Sequence, residues 1–427
     1  MSISWYSKLN PIERSTFWAS FAGYTMDSFD STMYALVAPV LITIVGFTKP
    51  EIGALTTAGL IGNCLGGWIA GIIADRLGRM TLLKATILWV AAFSGLAAAA
   101  MNYQEFFAVR FLQGLGFGGE AAVAGVLISE TVRPALRGRV VPATQAGYGF
   151  GYALSTMLMP VLFALFPQAV GWRVMFVLGV IPALLVLYIR RNVPESTTFL
   201  ASLNARRAGA RVVPFWSIFN RLNRRSTLVG LLLATGVLGG GFGIHAWLPT
   251  YLRLSLHLKV ASTAAYLACS IAGLLIGPVI AGLVRDRVGR RAVIVCLLAC
   301  DASVVACLLY LHFGLLGVLS LIFLQGTLQG GAAACLLPTF AELFPTEIRA
   351  SGVGFCITGG RGFGSICTSV VGLLSTTMPL GHAMGVCSLN AFGLAAVAAL
   401  FLPRQNGDDL DDVGTAAHGL EMAEPVF

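Results

Sequence analysis

Asp, Glu or Arg side chains of first interest stand inside long apolar runs at four places in this sequence. Asp27 and Asp30 lie in Asp27-Ser28-Phe29-Asp30, Arg110 follows Ala108-Val109, Glu120 closes Gly118-Gly119-Glu120, and Arg361 sits among Gly359, Gly360, Gly362 and Gly364. An ionised group in hydrocarbon is costly unless it is paired or hydrated, so each is a candidate for holding an ion or a charged solute. Asp27 and Asp30 are three apart, which puts them on neighbouring positions of one helix face. Two adjacent carboxylates resist double ionisation, so one of them is expected to hold a proton. Arginine grips carboxylates through a two-pronged fork. Arg361, with glycines leaving room beside it, is therefore the first choice for an anionic solute, an internal salt bridge being the alternative. Glu120 is a second proton-site candidate or a structural partner.

These charges need helices to hold them. Twelve apolar stretches approach the roughly 20 residues that cross a bilayer: 16–43, 52–74, 81–101, 104–130, 139–166 and 172–191, then 226–252, 260–284, 291–312, 315–340, 350–376 and 380–403. At 1.5 Å per residue, Asp27 and Asp30 lie about 16 and 21 Å along the first, and Arg110 about 9 Å along the oppositely directed fourth. Asp30 and Arg110 then fall at one depth, and a direct pair between them is expected. Tyr24, Gln113, Tyr148, Tyr152 and Gln329 are expected to line the space between helices. His245, in His245-Ala246-Trp247-Leu248-Pro249, reads as interfacial, and Asp301 as a peripheral structural acid.

Composition agrees. The 427 residues are 57% hydrophobic and only 11% charged, with mean hydropathy +0.82, against roughly 25% charged in soluble domains. Lipid is the expected solvent. The net charge of +9 does not indicate nucleic acid, because the basic residues stand singly or in pairs at the ends of apolar runs. With a cytoplasmic N-terminus, 22 of the 28 Lys and Arg fall on the cytoplasmic side, as the positive-inside rule requires. Asn10-Pro11 reads as a helix cap. The N-terminus is polar, and the first apolar run is too long for a cleavable signal. Residues 192–225 are expected to be a basic cytoplasmic linker, and the acidic stretch from 404 a solvated tail. The expected organisation is a six-helix half over 1–191, the linker 192–225, a second six-helix half over 226–403, and the tail 404–427.

A charged turn occurs twice. Gly71-Ile-Ile-Ala-Asp75-Arg76-Leu-Gly78-Arg79 is echoed by Gly282-Leu-Val-Arg-Asp286-Arg287-Val-Gly289-Arg290, 211 residues later. Phe111-Leu-Gln113-Gly114 is echoed by Phe323-Leu-Gln325-Gly326, Glu130 by Glu342 and Arg137 by Arg349, each 212 residues later. Repetition at half the chain length indicates two related halves. Asp75 and Asp286 are expected near the first turns of the fifth and eleventh helices, where partial positive charge stabilises a carboxylate by about 0.3–1 kcal/mol. Arg76, Arg79, Arg287 and Arg290 can pair with Glu130 and Glu342. Together with Arg137 and Arg349 these charges form an expected conformational latch at the cytoplasmic face.

Several chemistries are not supported. No Gly-x-x-x-x-Gly-Lys-Ser/Thr loop occurs: there are four lysines, and none precedes serine or threonine. His-Glu-x-x-His and Gly-x-Ser-x-Gly are absent too. The cysteines at 64, 269, 296, 300, 307, 335, 356, 367 and 387 have no metal-ligand spacing with histidine and read as apolar packing residues. No metal, cofactor or catalytic residue is expected, and intramembrane acids leave proton coupling as the energy source.

The repeated turn resembles that of the major facilitator transporters, an all-α membrane fold of twelve helices in two halves. Trp5-Tyr6, Leu9-Asn10, Gly23-Tyr24, Asp27-x-Phe-Asp30, Arg110 through Glu120, Gly171-Trp172-Arg173 and Pro194-Glu195-Ser196 are together similar to the sialate:proton symporter branch. The Asp-x-Phe-Asp element also resembles that of aromatic acid:proton symporters. Ala121-Ala122 stand where sialic acid carriers tend to have an aromatic residue. The resemblance implies that Asp27 and Asp30 are transport-essential acids. It also implies that a small organic anion enters with protons across the inner membrane, and a monomer is expected. A proton-driven exporter of the same fold is the alternative, although exporters commonly carry Gly-Pro-x-x-Gly-Gly in the fifth helix, and this chain has Gly147-Tyr-Gly-Phe-Gly-Tyr152. A transport-dead nutrient sensor would usually carry a longer cytoplasmic extension.

Overall fold

A computed structural model describes residues 4–181, 215–345 and 348–402. The described residues form twelve principal helices: α1 Pro11–Val40, α2 Lys49–Leu77, α3 Arg79–Ala99, α4 Tyr103–Thr131, α5 Pro134–Leu165, α6 Gln168–Leu178, α7 Arg224–His245, α8 Val260–Val288, α9 Arg290–Tyr310, α10 Leu315–Leu343, α11 Arg349–Leu374 and α12 Leu380–Leu400. Nine described segments are long and apolar enough to cross a membrane. The other three have identifiable reasons. The described part of α6 is 11 residues, while α4 and α11 dilute their apolar content with glycine and with Arg110, Gln113, Glu120 and Arg361.

The helix starts follow local chemistry. Asn10 Oδ1 accepts from Glu13 N at 2.8 Å while Glu13 returns its carboxylate to Asn10 N at 2.9 Å, with Pro11 in the first turn. Such a reciprocal cap satisfies two orphan donors at once. Thr48 and Glu51 repeat the device at α2. The first span therefore begins at Pro11, five residues before the expected start. The seventh runs through a short turn at Leu248–Thr250 and a π turn at Tyr251–Ser255, beyond its expected end at 252. Of the expected linker, residues 192–214 lie outside the described residues. Phe215–Phe219 form a 3₁₀ turn, and α7 begins at Arg224. The expected tail, 404–427, also lies outside.

The two halves repeat one packing scheme. α1 packs on α5 and α2 on α4; six helices later, α7 packs on α11 and α8 on α10. The halves meet along α2–α11 and its image α5–α8. The glycine of the repeated Phe-Leu-Gln-Gly is where the helices cross. A Cβ on Gly114 would lie 2.2 Å from the Gly59 carbonyl oxygen, and one on Gly326 would lie 2.3 Å from that of Ser270. The charged turns are backbone twins as well: Gly78 has φ 94° and ψ 149°, Gly289 φ 86° and ψ 152°, a left-handed region that favours glycine.

The α2–α11 seam is fastened differently at its two ends. Toward the start of α2, Ser369 Oγ donates to Thr57 Oγ1 at 2.7 Å, and Thr57 donates to the Ser365 carbonyl at 2.8 Å. Toward the charged turns, Trp68 stacks on Phe355 at 5.3 Å and 12°. Phe219 of the 3₁₀ turn meets the same phenylalanine edge-on at 5.2 Å. Thr227 holds that turn by donating to the Ile218 carbonyl at 2.6 Å.

Candidate functional site

α1 and α4 bring the intramembrane charges together because they cross within the first half. Asp30 is fully buried. Its Oδ2 accepts from Ser94 Oγ of α3 and, at 2.8 Å, from Gln113 Nε2 of α4. Gln113 Oε1 in turn accepts from Arg110 Nη1 at 2.9 Å. The guanidinium of Arg110 lies over the Tyr34 ring, 3.6 Å from its centroid, the face that attracts a cation.

The expected direct Asp30–Arg110 pair is therefore corrected. No ion pair joins them among the described residues, because the Gln113 amide stands between them and serves both. Gln113 is itself fully buried, so it bridges charges instead of facing open space. Asp27 and Asp30 also divide their surroundings. Asp30 turns to α3 and α4, whereas Asp27 lines a cavity of about 10 Å³ with Gly23, Tyr24, Glu120 and Ala124. That volume holds about one water. Asp27 accepts a long contact from Ser31 Oγ at 3.5 Å.

Arg361 approaches from the second half on α11. It is half-buried and makes no hydrogen bond or ion pair among the described residues. Its charge nevertheless acts on Asp27, together with that of Arg110, and it acts on Tyr148 as well. Tyr148 and Tyr152 both come from α5, and Tyr152 is buried. Gln329 on α10 donates to the Val237 carbonyl at 2.9 Å, and its Oε1 has no partner among the described residues. The structure thus gathers Tyr24, Asp27 and Glu120 around one cavity, with Tyr148 and Arg361 in electrostatic reach of Asp27. Gln113, Arg110 and Asp30 form an adjoining chain of hydrogen bonds.

The latch residues are less fully described. Only the backbone is described for Asp75, Arg76, Arg79, Glu130, Arg137, Asp286, Arg287 and Arg290, and their side chains lie outside the described residues. Arg349 donates to the Phe344 carbonyl at 3.3 Å and Glu342 is half-buried. A bridge not foreseen from sequence joins Arg133 to Glu13: Nε to Oε1 at 2.9 Å and Nη2 to Oε2 at 3.0 Å. It ties the start of α1 to the α4–α5 turn.

Sequence reasoning also missed Ser94 and Tyr34, which sit in apolar runs with no local signal beyond being polar there. His245 is half-buried. Its Nδ1 lies 3.0 Å from the Gly241 carbonyl and its Nε2 is buried with no partner among the described residues, at the break that ends α7.

The sequence profile of the Major Facilitator Superfamily matches residues 20–368. The chain belongs to the Major Facilitator Superfamily. As a member it is a multi-pass membrane transporter and not an enzyme. A probable 4-methylmuconolactone transporter of Cupriavidus pinatubonensis is 36% identical over 430 residues, covering 99% of each chain. The sialic acid transporter NanX of Escherichia coli is 28% identical over 385 residues, 87% of this chain and 91% of that one. Among solved structures, a D-xylose-proton symporter superposes with a TM-score of 0.74 at 19% identity, over 93% of this chain and 99% of that one. That likeness carries the fold: the twelve-helix Major Facilitator arrangement in two halves.

Proposed function

We propose that this Major Facilitator chain is a proton-coupled symporter that imports a small organic anion, a sialate-, lactate- or aromatic-acid-like carboxylate, across the cell inner membrane. The observation that carries the reading is the placement of Asp27 and Arg361. The charge of Arg361, from the second half, reaches Asp27 of the first across the seam, and neither forms an ion pair among the described residues. An anion drawn to Arg361 loses the competition with an ionised Asp27 nearby. A proton on Asp27 removes that competition, so anion and proton enter together. With both aboard the cavity is neutral, and closing it away from water costs less. The halves then rock along α2–α11 and α5–α8.

Glu120 shares the one-water cavity with Asp27 and is the proposed relay for the proton. Asp30, held by Ser94 and Gln113, completes the proton-coupling set. Arg110, Gln113, Tyr24, Tyr148, Tyr152 and Gln329 are assigned to substrate binding with Arg361, Gln113 acting through the two charges it joins. Asp75, Arg76, Arg79, Glu130, Arg137, Asp286, Arg287, Arg290, Glu342 and Arg349 are assigned to the latch. The bias of Lys and Arg supports cytoplasmic termini, and the chain is proposed to act as a monomer. The proposed divisions are 1–191, 192–225, 226–403 and 404–427. Relatives named for 4-methylmuconolactone and sialic acid support a carboxylate-like cargo.

Reconstituted vesicles test this. An inward proton gradient should drive accumulation of such an anion, and a protonophore should abolish it. Equal accumulation with and without the gradient would overturn the proton-coupled reading.

A further inference from the structure

Away from the central site, α7 and α12 enclose an apolar groove of about 260 Å³. Leu228, Val229 and Leu232 line it from α7, Leu394, Val397 and Ala398 from α12, and Phe401 from just past the end of α12. The lining is exposed on the outside of the bundle: Leu228, Val397 and Phe401 each keep more than half of their surface free. Among the described residues one charged side chain lines the groove, Arg225, at the end where α7 begins and α12 finishes. Arg221 and Arg224 are exposed beside it, and residues 215–225 contain three arginines and no acid. Trp216, 73% exposed, and Leu222, 91% exposed, lie on the same short segment.

We propose that this groove is a binding site for one anionic phospholipid, with an acyl chain between α7 and α12 and the phosphate on Arg225. The charge pattern selects the occupant. An apolar slot facing outward from a membrane bundle takes a hydrocarbon chain, and a guanidinium at its mouth takes a phosphate oxygen pair. Arg221 and Arg224 add attraction for a headgroup with net negative charge. The aromatic side chain of Trp216 suits the level of the headgroups. The volume falls a little short of the roughly 300–1,000 Å³ of ordinary small-molecule pockets, which fits a narrow chain better than a bulky solute. A phospholipid seated here fastens the first turn of α7 to the last turn of α12, next to the 3₁₀ turn that touches Phe355 on the α2–α11 seam.

Native mass spectrometry of the full chain in detergent tests the site, titrating phosphatidylglycerol and phosphatidylcholine of identical acyl chains. Retention of one phosphatidylglycerol about tenfold better than phosphatidylcholine is expected. Arg225→Ala should bring that ratio close to one, while Arg253→Ala, in the α7–α8 connection, should leave it unchanged. Val397→Trp, which fills the groove, should reduce retention of both lipids. A monodisperse elution profile shows that each variant is folded. Equal retention of the two lipids by the unaltered chain, or an unchanged ratio in Arg225→Ala, overturns the proposal. So does displacement of the bound lipid by millimolar inorganic phosphate, which would mark a phosphate site with no part for the acyl chain.

Discussion

Gln113 donates to Asp30 across 2.8 Å and, through the other end of the same amide, accepts from Arg110 across 2.9 Å. A neutral side chain thereby joins a buried acid to a buried base that do not touch. Replacing Gln113 by Leu leaves Asp30 with Ser94 as its remaining donor and removes the acceptor of Arg110 Nη1, and leaving a buried hydrogen-bonding group unmet costs about 1–3 kcal/mol. Gln113→Leu is expected to lower the melting temperature and to cut uptake at least about tenfold, the kinetic equivalent of 1.4 kcal/mol. Melting curves and initial uptake rates in vesicles check both parts.

Asp27→Asn mimics a permanently protonated acid. Exchange of labelled for unlabelled anion across the membrane needs no net proton movement and should persist. Accumulation driven by a proton gradient should be lost. In the unaltered chain uptake should fall as external pH rises, because fewer acids carry a proton, and Asp27→Asn should flatten that dependence. Counterflow and gradient-driven uptake, measured side by side over a range of pH, separate the two behaviours.

Arg361→Ala should raise the concentration needed for half-maximal uptake by roughly 10–100-fold, the range expected when a charge-assisted hydrogen bond of about 1.5–3 kcal/mol is lost. Arg361→Lys restores the charge without the planar fork and should recover only part of the loss. Concentration series for the three proteins provide the comparison.

Gly114→Ala and Gly326→Ala each place a methyl group within about 2.3 Å of a backbone oxygen on the crossing helix. Overpacking of this kind costs about 1–3 kcal/mol. Both variants should melt earlier and by similar amounts, since the two sites are images of each other. A large difference between them would show that the halves are not equivalent at this crossing.

The fold was legible in the sequence because its causes are written in the chain itself: locally in apolar length and the cap at Asn10, and over long range in a repeat spaced at half the chain. The repeated Phe-Leu-Gln-Gly marked Gly114 and Gly326, whose helix-crossing role required only the absence of a side chain. The candidate site was legible in sequence as charges standing in apolar runs, but its hydrogen-bond network was not. Depth along a helix placed Asp30 level with Arg110, yet it carried no information on rotation about the axis. Rotation is what aims Asp30 at Ser94 and leaves Asp27 facing Glu120. The Arg133–Glu13 bridge spans 120 positions between two turn-forming segments, and nothing in either segment specifies the other. The break that ends α7 at His245 was not legible because it hides inside an unbroken apolar run.

The α2–α11 seam is held by the hydroxyls of Thr57 and Ser369 with the Ser365 carbonyl, and by stacked rings at Trp68 and Phe355. Parting the hydroxyl end trades protein hydrogen bonds for bonds to water, a nearly even exchange. Parting the ring end exposes apolar area, and the penalty for that weakens on cooling. The two mouths of the carrier are therefore expected to respond unequally to temperature, chilling favouring opening on the side where the aromatics meet.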